Sequence, residues 1–71
     1  MKRYLVIIEE SASGYSAFLP DLPGCMATGA TRDEVENAVR EGVEFHLEGL
    51  RESGEPVPPP RSTATYVEVA A

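Results

Sequence analysis

Pro20-Asp21-Leu22-Pro23-Gly24-Cys25, followed by Thr31-Arg32-Asp33-Glu34, obliges a strand to stop, a tight turn to form and a helix to begin within one short stretch. Pro20 has no N–H to give to a ladder, so it ends a strand or lies on an edge. Asp21 can accept a bond from backbone two residues on, and Pro23-Gly24 suits the central positions of a type II turn. Thr31 with Glu34 three residues later is a capping box, and Asp33 adds favourable negative charge at the same helix end.

The flanking segments supply the remaining elements. Tyr4 to Ile8 is an apolar, β-branched run that reads as a strand. Both of its faces are apolar, the mark of a central strand covered on two sides. Ser11-Ala12-Ser13-Gly14 predicts a hairpin connection, Tyr15 to Leu19 a second strand, and Cys25 to Thr28 a short third one. The helix is expected from Arg32 to Glu52, with Val35, Val39, Gly42, Val43, His46, Leu47 and Leu50 on one face. Asn37, Glu41, Glu44, Glu48 and Glu52 fall on the other. Gly42 and Gly49 each weaken such a helix by about 1 kcal/mol relative to Ala, which close backbone packing would explain. Ser53-Gly54 ends it, Pro56 to Pro60 reads as a polyproline II spacer, with a polyproline ligand for another domain as its alternative, and Thr63 to Val69 alternates like a final strand. The expected fold class is therefore α+β, a single β-β-β-α-β domain over residues 1–71 with a mostly antiparallel sheet in the order 3-2-1-4. Its one helix packs on one face, and the pattern leaves open which face.

Seventy-one residues make a small core, and chains of this size usually need a disulfide, a metal or oligomerisation. One cysteine excludes an internal disulfide, and His46 with Cys25 is too few for a protein-only zinc site. Oligomerisation, a homodimer or higher, is the expected aid. One helix cannot cover both sheet faces, so Leu5, Ile7, Phe18 and Met26 are the predicted oligomer interface. The net charge of −6 disfavours nucleic-acid binding and suits a basic protein partner or plain solubility. No stretch approaches a membrane span, and the run after Lys2-Arg3 is too short for a signal segment, so a cytoplasmic location is expected.

Taken together, Gly14-Tyr15, Pro20 to Cys25, Thr28-Gly29, Thr31, Glu34, Asn37-Ala38 and Gly54-Glu55-Pro56-Val57-Pro58 resemble the HicB antitoxin family from Tyr4 to about Pro60. The resemblance implies a partial ribonuclease-H-like fold. It also implies a partner, since HicB proteins neutralise HicA, a small basic ribonuclease with a double-stranded-RNA-binding-like fold. The implied function is an antitoxin that sequesters such a toxin by protein–protein contact. Family members often carry a C-terminal helix-turn-helix or ribbon-helix-helix segment that binds the operon promoter. Only a strand follows Pro60 here, so a short member without that segment is expected, with no direct nucleic-acid contact.

Two surfaces are candidates for partner binding. One is the Asp21-Leu22-Pro23 turn, a loop on a rigid scaffold; its alternative is purely local, with Asp21 bonding nearby backbone and Leu22 tucked over the core. The other is the acidic row Glu41, Glu44 and Glu48, which would steer a basic partner or simply be solvated. Catalytic, cofactor-binding and metal-binding residues are not predicted, and the chain does not read as an enzyme. A ribonuclease-H site needs carboxylates converging on two metals, whereas strand one has no acid in its middle and Glu9 and Glu10 lie at its end. His46 and Cys25 read as packing residues. The competing functions are a solitary oligomeric scaffold and, more remotely, a degenerate nuclease.

Overall fold

The computed structural model describes residues 2–71. Three strands, β1 (Ile7–Ser11), β2 (Gly14–Phe18) and β3 (Met26–Gly29), form an antiparallel sheet in the order β1-β2-β3, followed by the helix α1 (Arg32–Glu52). The fold is α+β, and the helix occupies its predicted span.

The turns set the register. Ala12 and Ser13 form a two-residue connection, so Ser11 faces Gly14 and Ile7 faces Phe18. Continuing that register would set Leu5 against Pro20 and Tyr4 against Asp21, where the chain is already turning away. This is why β1 begins later than the apolar run Tyr4 to Ile8 suggests and extends through the two glutamates. Gly14 sits at φ 142, and a Cβ there would lie 2.5 Å from the Gly29 carbonyl oxygen. Only glycine fits both demands.

Between β2 and β3 the Pro20 to Gly24 loop makes two successive turns. Leu22 N–H donates to the Leu19 carbonyl at 3.3 Å, and Cys25 N–H donates to the Leu22 carbonyl at 3.1 Å. Gly24 at φ 85 completes the type II turn after Pro23. The double turn drives the Leu22 side chain inward to 0% exposure, where it joins Ala17, Leu19, Cys25, Val35 and Val39 as the core.

The cap forms as predicted: Glu34 N–H donates to Thr31 Oγ1 at 3.1 Å. The Glu34 carboxylate reaches back to the Ala30 N–H at 3.0 Å, one residue before the usual partner. The α1 helix packs on β3 and β2 and not on β1. It therefore covers the face carrying Ala17, Leu19, Ala27 and Cys25, while Tyr4, Val6 and Ile8 are only half covered. Gly29 permits the approach, because a Cβ there would lie 2.7 Å from the Val35 nitrogen. Gly42 and Gly49 differ from expectation: a Cβ at either would meet nothing within 4 Å, so no close packing explains them.

The expected fourth strand is the main departure. Thr63 to Val69 carries no ladder bonds and stands in solvent, with Tyr66 fully exposed. The order 3-2-1 thus holds without a strand 4 beside β1 in this single chain. The projecting tail stretches the molecule to 49 × 26 × 19 Å. Its radius of gyration is 13.9 Å, against about 11 Å for a compact domain of this length.

Candidate partner interfaces

Alternation along the strands sorts the sheet into two rows of different chemistry. On the helix side lie Ile8, Ala17 and Ala27, flanked by Leu19, Cys25 and Tyr15. On the other side Ile7, Phe18 and Met26 stand directly across from one another, one from each strand. Leu5 continues this row by parity. No element covers it within the described chain: Leu5 and Ile7 are half-buried, Phe18 is exposed and Met26 is 72% exposed. All four residues expected at an oligomer interface therefore share one open apolar face.

The outer side of α1 is the second surface. Glu41, Glu44 and Glu48 are exposed along it, as their spacing requires. Phe45 lies among them with 80% of its surface in water. Helical geometry sets Phe45 between Glu41 and Glu48 on one flank and Gly42 and Gly49 on the other. The glycines leave its ring unshielded. Sequence reading passed over Phe45 because it belongs to neither the apolar stripe nor the acidic row. Its signal was an aromatic residue out of phase with the buried face.

The Asp21-Leu22-Pro23 turn is divided. Leu22 is wholly buried and Pro23 is exposed. The carboxylate of Asp21 is occupied, though by distant partners rather than nearby backbone. Its Oδ2 accepts from the Arg61 and Ser62 N–H groups, each at 2.8 Å, and its Oδ1 accepts from Ser62 Oγ at 2.8 Å. These bonds, the Ser62 backbone N–H first, hold the carboxyl below its ordinary range. Tyr4 assists by donating its hydroxyl to the Pro58 carbonyl. Pro56 to Pro60 therefore spans from the helix end to a fixed anchor, and the Asp21 carboxylate fastens the chain to itself.

Other chemistry-bearing groups are accounted for locally. Burial raises the pKa of the Cys25 thiol and keeps it neutral. Glu9 and Glu10 are neighbours on β1, so they point to opposite faces and do not converge. Glu10 accepts a bond from the Tyr15 hydroxyl at 3.1 Å, which raises the tyrosine pKa. Among the described residues no group of three or more His, Cys, Asp or Glu is placed to hold a metal ion. Nor is any helix long and apolar enough to cross a membrane.

Such a molecule is a small α+β domain, with its prominent features on two exposed surfaces. The family model for the HicB-like antitoxin of bacterial toxin–antitoxin systems matches residues 4–70, and the chain belongs to that family. It is 33% identical over 70 residues to a UPF0150 protein of Thermoplasma acidophilum, covering 97% of this chain and 99% of that one. A UPF0150 protein of Synechocystis is 39% identical over 56 residues, covering 78% of this chain and 71% of its own. A 14.9 kDa protein of Haemophilus phage HP1 is 34% identical over 64 residues, covering 90% of this chain. The chain spans about half of that phage relative, 48% of its length. Among solved structures, a HicA3 and HicB3 toxin-antitoxin complex matches with a TM-score of 0.71 and 30% identity. That match covers 83% of this chain and 70% of the other.

Proposed function

We propose that this chain acts as the antitoxin of a toxin–antitoxin pair, sequestering a small basic ribonuclease of the HicA type through the outer face of α1. Family membership and the likeness to a toxin-antitoxin complex support the role. The observation that carries the surface is Phe45, an aromatic side chain 80% exposed in a field of glutamates. Binding energy concentrates on buried aromatic anchors, while surrounding charges govern encounter and specificity. Here Phe45 would enter a pocket of the toxin, and Glu41, Glu44 and Glu48 would meet its basic RNA-binding surface. Inhibition would be occlusion, with carboxylates standing where phosphates bind.

The test is co-purification with the product of the neighbouring gene, where that product is a small basic protein, followed by calorimetry at two salt concentrations. Phe45→Ala should weaken the complex by more than tenfold, as loss of an anchor of about 2 kcal/mol does. Replacing Glu41, Glu44 and Glu48 by Gln should slow association and flatten the salt dependence. No complex with the wild-type chain overturns the antitoxin reading, and a complex indifferent to Phe45→Ala moves the interface elsewhere.

A second reading concerns assembly. The row Leu5, Ile7, Phe18 and Met26 supports self-association, because an apolar sheet face left in water favours a second layer. Light scattering on the full chain tests it, and a monomer at all accessible concentrations overturns it.

A further inference from the structure

Three features of the fold lack a partner within the described chain. The first is the outer edge of β1, which pairs with β2 on one side and with nothing on the other. The second is an apolar groove beside that edge, between Ile8 of β1 with Tyr4 and Val6 just ahead of it and Val39 and Val43 of the helix. It exists because α1 sits over β2 and β3 and leaves the β1 flank half covered. The third is the tail, whose Thr65, Val67 and Val69 alternate with Ala64, Tyr66 and Glu68. Val67 and Val69 are 77% and 78% exposed.

We propose that Thr63 to Val69 becomes a strand between two copies of this chain: each tail pairs along the β1 edge of the other copy and lays Thr65, Val67 and Val69 over its groove. This deepens the self-association reading and rests on it. The argument for a second copy is one of length, anchorage and symmetry. The Asp21 bonds hold Arg61 and Ser62, so the tail has a fixed root. From Ser62 to Ala71 an extended chain reaches roughly 30 Å, enough to cross to a neighbour. Within its own molecule Pro60 to Ala64 lies beside Lys2 to Val6 without forming a ladder, and Val67 and Val69 beyond it stay in solvent. A two-fold arrangement meets every need at once, since each copy supplies one strand and one groove. It also removes an open β-edge and the exposed valines, both of which invite uncontrolled pairing.

The test uses the full-length chain with Tyr66→Pro and Val67→Pro made separately. Successive N–H groups of a strand point to opposite edges, so one of the two prolines must remove a ladder bond. The wild type should scatter light at twice the 7.7 kDa chain mass, and at least one variant should fall to the monomer mass with its circular dichroism retained. In a dimer of equal parts isotope-labelled and unlabelled chain, filtered NMR should show contacts from Val67 and Val69 of one copy to Val6 and Ile8 of the other. A wild-type dimer that both prolines leave intact overturns strand exchange and leaves self-association standing. Tail contacts only within one copy likewise overturn the exchange. A wild-type monomer overturns both.

Discussion

The two faces of the sheet carry apolar residues in similar number and do opposite things with them. On the helix side, Ala17, Leu19 and Cys25 meet Leu22, Val35 and Val39, and all six are buried. On the far side, Ile7, Phe18 and Met26 form an equally regular row that no second layer of the described chain covers. Fully burying one such side chain contributes roughly 1.5–3 kcal/mol, so folding of the single chain draws on one face only. The difference teaches that apolar pattern specifies a face, while the connections decide what covers it. The Pro20 to Gly24 double turn and the capped start of α1 both fold toward the same side. The tail, which is the remaining segment, is fastened at Ser62 and led away.

The sharpest way to break this contrast is to substitute residues on each side and compare the costs. Leu22→Ala should cost about 2–5 kcal/mol, the range for a large core side chain. That is a large part of the roughly 4–10 kcal/mol available to a chain this long. Urea unfolding measures it, and a loss below about 1 kcal/mol would show that the loop is not part of the core. Gly29→Ala should cost about 1–3 kcal/mol, because its Cβ must displace helix backbone, whereas Gly42→Ala should stabilise by roughly 0.5–1 kcal/mol in open space. Opposite signs for one chemical change would map the packed and free sides of α1. Met26→Lys should alter unfolding of the isolated chain by no more than about 0.5 kcal/mol while lowering the mass seen by light scattering. Unfolding by Met26→Lys would mean that the far face is core after all.

Local chemistry made most of the fold legible. Thr31 and Glu34 fixed the helix start, Ser53-Gly54 its end, and Pro23-Gly24 the turn, because each acts through bonds within a few residues. The start of β1 was misplaced, since strand ends depend on what lies across the ladder, and the partner of Tyr4 to Val6 turns away at Pro20. Strand 4 was misjudged for a related reason: alternation shows that Thr63 to Val69 can pair and says nothing about with whom. The acidic row was readable from spacing, and the same spacing sets Phe45 out of phase with the buried face, although how bare its ring stands follows from the glycines beside it. Asp21 was readable as an acceptor, yet its donors lie 40 and 41 positions away in sequence.

That last contact gives the smallest and most selective effect. Asp21 has its pKa lowered in the folded chain by the Ser62 and Arg61 N–H groups and the Ser62 hydroxyl. A depressed carboxyl stabilises the folded arrangement fully above its unfolded value of about 3.9, and the contribution is lost as pH falls through the folded value. Acidification below about pH 4 should therefore release Arg61 and Ser62 from the turn before the core opens. NMR relaxation of the Ser62 and Thr63 amides should report faster motion in that window, while the Ala17 amide, within β2, stays ordered. Asp21→Asn should loosen the same amides at neutral pH, because its side-chain NH₂ presents a donor where one carboxylate oxygen accepted. The variant should then show no further step on acidification. A tail that remains fixed in Asp21→Asn would assign the anchor to Tyr4 and Pro58 instead and leave the carboxylate without a structural task.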